Sequence, residues 1–338
     1  MYNNFIKLKR IEYGEDDKMA EPVLKWAGGK RQILPQIVAL MPKDFKERTF
    51  HEPFFGGGAV TFWLEPKRGT INDINLKLIN FYLVVRDYVE ELIQDAKQHK
   101  NEKEYYYKAR EEFNKIIREG FRPPHIRLAS LLLYLNKTGY NGLYRENRKG
   151  EFNVPFGRYK NPTIVDEERL RKVSEVLKRL EIYNEDFTYI LTVARPGDLV
   201  YFDPPYHPIS KTANFTSYSK DDFTQKDQER LRDVCIELHE MGVYFILSNS
   251  HAQPVRELYE GIKEFEVITV YANRAINSKA DKRGKIAEIL VTNVPKELRV
   301  GISKAIELTK NGNGTKMMSM TKREIKKQIT IAEFLVKV

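Results

Sequence analysis

One cysteine, Cys235, stands in 338 residues, so the chain can form no internal disulfide and no thiolate cluster for zinc or iron. Histidines are sparse as well. They sit at 51, 99, 125, 207, 239 and 251, with no pair at a spacing suited to a metal. Long apolar runs are missing. "FYLVV" (81–85) and "LASLLLYL" (128–135) fall far short of the roughly 20 residues a spanning helix needs. The opening "MYNNFIKLKRIEYGEDDK" has no apolar stretch of the kind a secretory signal carries. These absences argue against a disulfide scaffold, a cysteine metal site and a helical membrane protein. The expectation is a cytoplasmic protein without metal or membrane contact.

What remains is an ordinary globular composition, 41% hydrophobic and 31% charged, long enough for one large domain or two modest ones. Its charge is not ordinary. Lys and Arg total 57 against 47 Asp and Glu, a net charge of +10 that favours a polyanionic partner. The excess is local: residues 77–160 hold 17 basic against 11 acidic side chains, and residues 295–338 hold 10 against 4. A generically basic surface explains a net charge, but less readily two separate basic segments.

Short β-branched or aromatic runs ending in turn residues predict seven strands: "TFHEP" (49–53), "GTIND" (69–73), "LEIYNEDF" (180–187), "LVYFDPPY" (199–206), "VYFILSNS" (243–250), "FEVITVYA" (265–272) and "IAEILVTN" (286–293). Helix-period segments lie between several of them, including 166–180 and 224–242, the latter behind a cap-like "TQKD". That alternation predicts an α/β, doubly wound sheet with ligands at the carboxyl ends of its strands. From about 76 to 163 the rhythm stops. The chain there is helical and basic, then carries a hairpin-like "LYRENRKGEFNVPF" turning near Lys149 and Gly150. The expected organisation is an extension (1–21), a sheet domain (22–76 and 164–295) and an inserted helical and hairpin domain (77–163). A tail follows (296–338), with an amphipathic helix from a capping box at Thr321 and Glu324. Its apolar side fits its own core or a second subunit better than a polyanionic partner.

Chemistry concentrates in "DPPY". An isolated Asp-Pro commonly just caps a turn, but Asp203, Pro204, Pro205 and Tyr206 together suit methylation of an amino group conjugated into an aromatic ring. Such a nitrogen is a poor nucleophile. A carboxylate and a rigid backbone carbonyl can each accept one of its N–H groups, favouring a pyramidal nitrogen with its lone pair aimed at the methyl donor. The carboxylate also stabilises the developing positive charge. Prolines fix φ and contribute no N–H, and Tyr206 can stack on the base. "HEPFFGGGAVTFWL" (51–64) places a glycine turn between a strand and a helix, and "NDIN" brings Asp73 to the end of the next strand, where an acid can bind ribose hydroxyls. "LKWAGGKRQIL" (24–34) is not a phosphate loop, because Leu24 and Arg31 replace the required Gly and Ser/Thr.

In order, "KWAGGKRQIL", "EPFFGGGAV", "NDIN", "NKTGYNGLYREN", "GEFNVPFGRY", "DPPY", "TANFTSYS" and "LSNSH" closely resemble the DNA adenine-N6 methyltransferase family, in its GATC-modifying group, over about 22–293. The resemblance implies a Rossmann-like S-adenosylmethionine-dependent fold with an inserted target-recognition domain. It implies S-adenosylmethionine as donor and a flipped adenine in duplex DNA as acceptor. On this chain Trp26, Lys30, Phe54, Gly56, Gly58, Asp73, Asp186, Phe187 and Asp203 would line the donor site. Asp203 to Tyr206 would hold the adenine. Tyr140 would fill the gap left by the flipped base and Asn141 would meet the backbone. Lys25, Leu143, Arg145 and Pro155 would read base edges, with Asn147, Arg158 and Tyr159 supporting the hairpin. The competing reading of Tyr140, Leu143 and Pro155 is plain hairpin core. A cognate restriction endonuclease is carried as a candidate partner.

Two other functions are compatible with parts of this pattern. Similar sites methylate RNA bases or protein glutamine, against which the hairpin speaks. A non-catalytic DNA-binding protein on the same scaffold would not need Asp203 and Asp73 intact.

Overall fold

A computed structural model describes residues 19–206, 223–273 and 285–311. All seven anticipated runs are strands, joined in one sheet of order β3-β2-β1-β4-β5-β7-β6. They are β1 (Phe50–Glu52), β2 (Gly69–Asn72), β3 (Leu180–Tyr183), β4 (Leu199–Phe202), β5 (Tyr244–Ser250), β6 (Glu266–Asn273) and β7 (Lys285–Thr292). The first five run parallel, and β7 pairs antiparallel with both β5 and β6. The chain steps outward from β1 through β2 to β3, then returns to place β4 on the other side of β1. That reversal opens the crevice at the carboxyl ends of β1 and β4, where doubly wound sheets bind ligands.

β4 shows why the sheet forms here. "LVYF" is buried throughout, as a central parallel strand with both faces covered must be. Leu199 and Tyr201 pack with the helix Leu34–Leu40 on one face, and Val200 and Phe202 with the helix Gln225–Glu240 on the other. The latter helix begins with the anticipated cap, Thr224 and Asp227 reciprocally satisfying each other's backbone N–H.

Four helices, Leu76–Asp87, Val89–Ala96, Lys103–Glu119 and Ile126–Thr138, fill the basic segment. They share one hydrophobic core with Leu24, Phe55, Phe62 and Ile71 of the sheet region. The hairpin after them is irregular, with only two isolated bridges among the described residues, Gly139 to Phe156 and Glu146 to Phe152. Side chains supplement the few backbone pairs, such as Asn147 N–H to the Glu151 carbonyl and Asn153 N–H to the Arg145 carbonyl: Asn114 accepts from Phe152 N–H (2.8 Å) and donates to its carbonyl (3.0 Å), while Tyr106 and Arg110 donate to the Val154 carbonyl. The turn lies where expected. Asn147 Oδ1 accepts from the N–H groups of Lys149 and Glu151, and Gly150 takes φ +76°, which glycine adopts without penalty. A helix at Ile302–Asn311 packs on Leu34–Leu40 and buries Ala305. The anticipated tail helix and "TANFTSYS" lie outside the described residues.

Candidate active site

The end of β4 delivers Asp203 into the crevice, flanked by β1 and β5. Oδ1 of Asp203 lies 2.9 Å from Lys30 Nζ and accepts from Ser248 Oγ at 3.0 Å. Burial pushes its pKa up; the Lys30 charge, and the hydrogen bonds from Lys30 and Ser248, pull it back. Its other oxygen, Oδ2, is on the side of Gly28. Pro205's carbonyl accepts from Gln228 at 3.2 Å, whereas no donor among the described residues meets the Pro204 carbonyl. The tyrosine closes this loop, its hydroxyl donating to Glu288 Oε2 (2.7 Å) and its ring lying 4.5 Å from Lys30 Nζ. A carboxylate oxygen, a carbonyl that no donor among the described residues meets, and an aromatic face are thus presented together at one strand end.

The glycine turn stands beside them. Gly58 caps the helix Ala59–Leu64 with φ +68°, and a Cβ there would meet the Phe55 and Phe62 rings at 2.5–2.6 Å. Only glycine fits. Gly56 and Gly57 lie against Trp26, whose ring would be 3.0 Å from a Cβ at 56. Asp73 accepts from Gly56 N–H (Oδ2, 2.9 Å) and Asn75 N–H (Oδ1, 2.9 Å), which tie the turn to β2 and leave further lone pairs for a ligand. Phe54 stacks on the buried Phe187 at 5.3 Å, and Asp186 caps the following turn and pairs with Arg230. The structure therefore gathers Trp26, Lys30, Gly56, Asp73 and Asp203 along one arc, with Phe54 and Phe187 forming an aromatic wall next to it. This donor set fits a nucleoside-bearing cationic methyl donor: an acid for a diol, bare glycine backbone, exposed Ile74 beside Asp73, and a carboxylate near the positive charge.

Sequence reasoning missed Glu52, Ser248, Gln228 and Glu288. Glu52 stood in "HEPFFGGG" and Ser248 in "LSNSH", but only the fold shows what they touch. Glu52 is buried at the end of β1, where Thr61 donates to it through both N–H and hydroxyl. Burial raises its pKa to about 8, with the charge of Asp203 adding to the rise. Folding therefore takes up a proton between 4.5, its ordinary value, and about 8. Its stabilisation is complete below pH 4.5 and declines as pH rises toward 8. Glu52→Gln is expected to melt like the parent at pH 5 and above it at pH 8, read by thermal denaturation across that range. Parallel profiles would show that Glu52 ionises freely.

The hairpin presents its residues outward. Tyr140 is 52% exposed and Asn141 takes φ +55°, while Tyr140 N–H donates to the Pro155 carbonyl. Pro155 is exposed, and half-buried Leu143 packs against the core that Tyr144, Phe152 and Val154 join. Arg145 is exposed on the side opposite buried Tyr144, its Nε held by Asn153 Oδ1 at 2.7 Å. Asn147 forms the turn, Arg158 is exposed at φ +56°, and Tyr159 receives Lys25 Nζ 5.6 Å from its ring centre. Tyr144 stacks on Trp26 at 4.8 Å, joining the hairpin to the glycine turn. Among the described residues no His, Cys, Asp and Glu group could hold a metal ion, and no helix is long and apolar enough to cross a membrane.

Residues 26–276 match the family model of D12 class N6 adenine-specific DNA methyltransferases. The chain belongs to this family. The methyltransferase is 44% identical over 278 residues to the type II methyltransferase M1.LlaDCHI of Lactococcus lactis subsp. cremoris, covering 80% of this chain and 95% of that one. It is 45% identical over 291 residues to the type II methyltransferase M.MjaIII of Methanocaldococcus jannaschii (81% and 99%). The DNA adenine methylase of Escherichia coli K12 is 38% identical over 276 residues (80% and 95%).

Proposed function

We propose that this methyltransferase modifies N6 of an adenine flipped out of duplex DNA, with S-adenosylmethionine as donor and GATC as target. The observation that carries the reading is the convergence of Asp203 Oδ2, the Pro204 carbonyl and the Tyr206 ring at the end of β4, beside the turn formed by Trp26, Gly56 and Asp73. When bound, S-adenosylmethionine supplies an electrophilic methyl group. Asp203 and the Pro204 carbonyl accept the two N–H groups of the adenine, and Tyr206 holds its ring. Residues 77–163 read the target. Tyr140 occupies the vacated stack, Lys25 meets the guanine before the adenine, and Arg145 bonds to the guanine of the outer G·C pair, with Leu143 and Pro155 about a thymine methyl. The relatives named DNA adenine methylase support adenine in DNA as the acceptor, and the hairpin favours a duplex over RNA or protein.

The test is methyl transfer from labelled S-adenosylmethionine to GATC duplexes, singly substituted duplexes, RNA and protein. Transfer to GATC alone is the expected result; preference for RNA or for another duplex would overturn the reading. Within that assay Arg145→Ala should relax selection at the outer pair by about 1–3 kcal/mol rather than weaken every duplex equally. A uniform loss would make Arg145 a phosphate clamp.

A further inference from the structure

We propose that Asn136 and Gly142 form a seat that positions Lys25, and so set selectivity for one base pair without touching DNA. The inference rests on the reading of Lys25 given above. Asn136 lies in the last turn of the helix Ile126–Thr138, 1% exposed, within the otherwise apolar run "LLLYLN". A buried amide in such a place is costly unless its partners are met. They are met by the chain 111 positions earlier. Asn136 Oδ1 accepts from Lys25 N–H at 2.9 Å, and Nδ2 donates to the Lys25 carbonyl at 2.8 Å. The same Nδ2 donates to the Gly142 carbonyl at 3.1 Å, at the end of the turn that carries Tyr140 and Asn141. One side chain therefore fixes the backbone of residue 25 as a neighbouring strand would, and ties it to the turn at 140–142.

Gly142 completes the seat. Its φ is +64°, and a Cβ there would stand 2.3 Å from Lys25 Cδ and 3.2 Å from Lys25 Cβ. The lysine stem lies flat on bare backbone, with its ammonium carried onward to the Tyr159 ring. Backbone, stem and head group are thus held by three different residues, leaving Lys25 few alternative directions. Arg145 is held separately, by Asn153. Selection at the two pairs should therefore be separable.

Initial rates on the GATC duplex, and on duplexes substituted at the first or the last pair, test this for the parent, Lys25→Ala, Asn136→Asp and Gly142→Asn. Asn136→Asp keeps the acceptor for Lys25 N–H but turns an oxygen toward two carbonyls. Gly142→Asn leaves Asn136 intact and obstructs the stem, at a position whose positive φ asparagine tolerates. Each is expected to lose about tenfold of the discrimination at the first pair, as Lys25→Ala should, and to keep discrimination at the last. Thermal melting identifies a variant that has not folded, in which case the other carries the test. Full discrimination at the first pair in the folded variants, with Lys25→Ala relaxed, would overturn the seat alone. Equal losses at both pairs would make it a general structural support and overturn it too. If Lys25→Ala itself kept full discrimination, the assignment of Lys25 would fall and the seat with it.

Discussion

Asp203→Ala is expected to lower single-turnover methyl transfer by roughly a thousandfold or more, while donor and duplex binding stay near those of the parent. The asymmetry follows from what the carboxylate does. In the proposed reaction the adenine amino group is planar in the ground state, where its bonds to Asp203 and to the Pro204 carbonyl would be weak. They strengthen as the nitrogen becomes pyramidal and positive, and only interactions that strengthen in this way accelerate the reaction. The structure suits Asp203 to that proposed role: Lys30 and Ser248 both hold Oδ1, and Oδ2 would accept from the amino group. Asp203→Asn separates charge from shape, since the amide keeps an acceptor oxygen and loses the negative charge. It should sit close to Asp203→Ala if charge dominates. Donor binding followed by calorimetry and duplex binding by anisotropy complete the measurement. Near-parent turnover in Asp203→Ala would remove Asp203 from the reaction, and in Asp203→Asn alone it would assign the effect to the acceptor oxygen rather than to the charge.

How much of this was legible in the sequence depends on how local each signal is. β4 could be read because "LVYF" is continuously apolar and ends in residues that stop a strand. The helix after Thr224 could be read because its cap lies within four residues. The order of motifs carried the family, and with it most of the residues along the arc. Partners distant in sequence could not be read. Glu288 reaches Tyr206 from β7 across 82 positions, and nothing around "AEILV" marks one glutamate as aimed into the crevice. The hairpin shows the same limit in another form. Its hairpin-like sequence suggests a ladder, but Asn114, Tyr106 and Arg110 on the helix Lys103–Glu119 take up backbone groups of Phe152 and Val154, and side-chain substitution of this kind leaves no periodic trace.

Lys30→Met should give the second large effect, and one that depends on pH. Lys30 is 6% exposed, and its ammonium donates to the Gly28 carbonyl at 2.8 Å, pairs with Asp203 at 2.9 Å and lies over the Tyr206 ring. Methionine matches its length and apolar stem but removes the charge that offsets the burial of Asp203. A carboxyl already pushed up by desolvation would then rise further, because the opposite charge that pulls it back is gone. Protonated, Asp203 gives up the negative charge that stabilises the developing cation, and one of its oxygens becomes a donor facing the amino group. Activity near neutrality should fall by about a hundredfold and recover as pH rises through the elevated pKa, moving the acid limb of the rate profile upward. Asp203→Ala should instead lose activity at every pH, since it has no carboxyl to titrate. Rate profiles for the two variants under saturating donor distinguish a lysine that tunes the carboxylate from one that only helps hold the donor. A loss in Lys30→Met that is uniform with pH, and relieved by more donor, would assign Lys30 to donor binding alone.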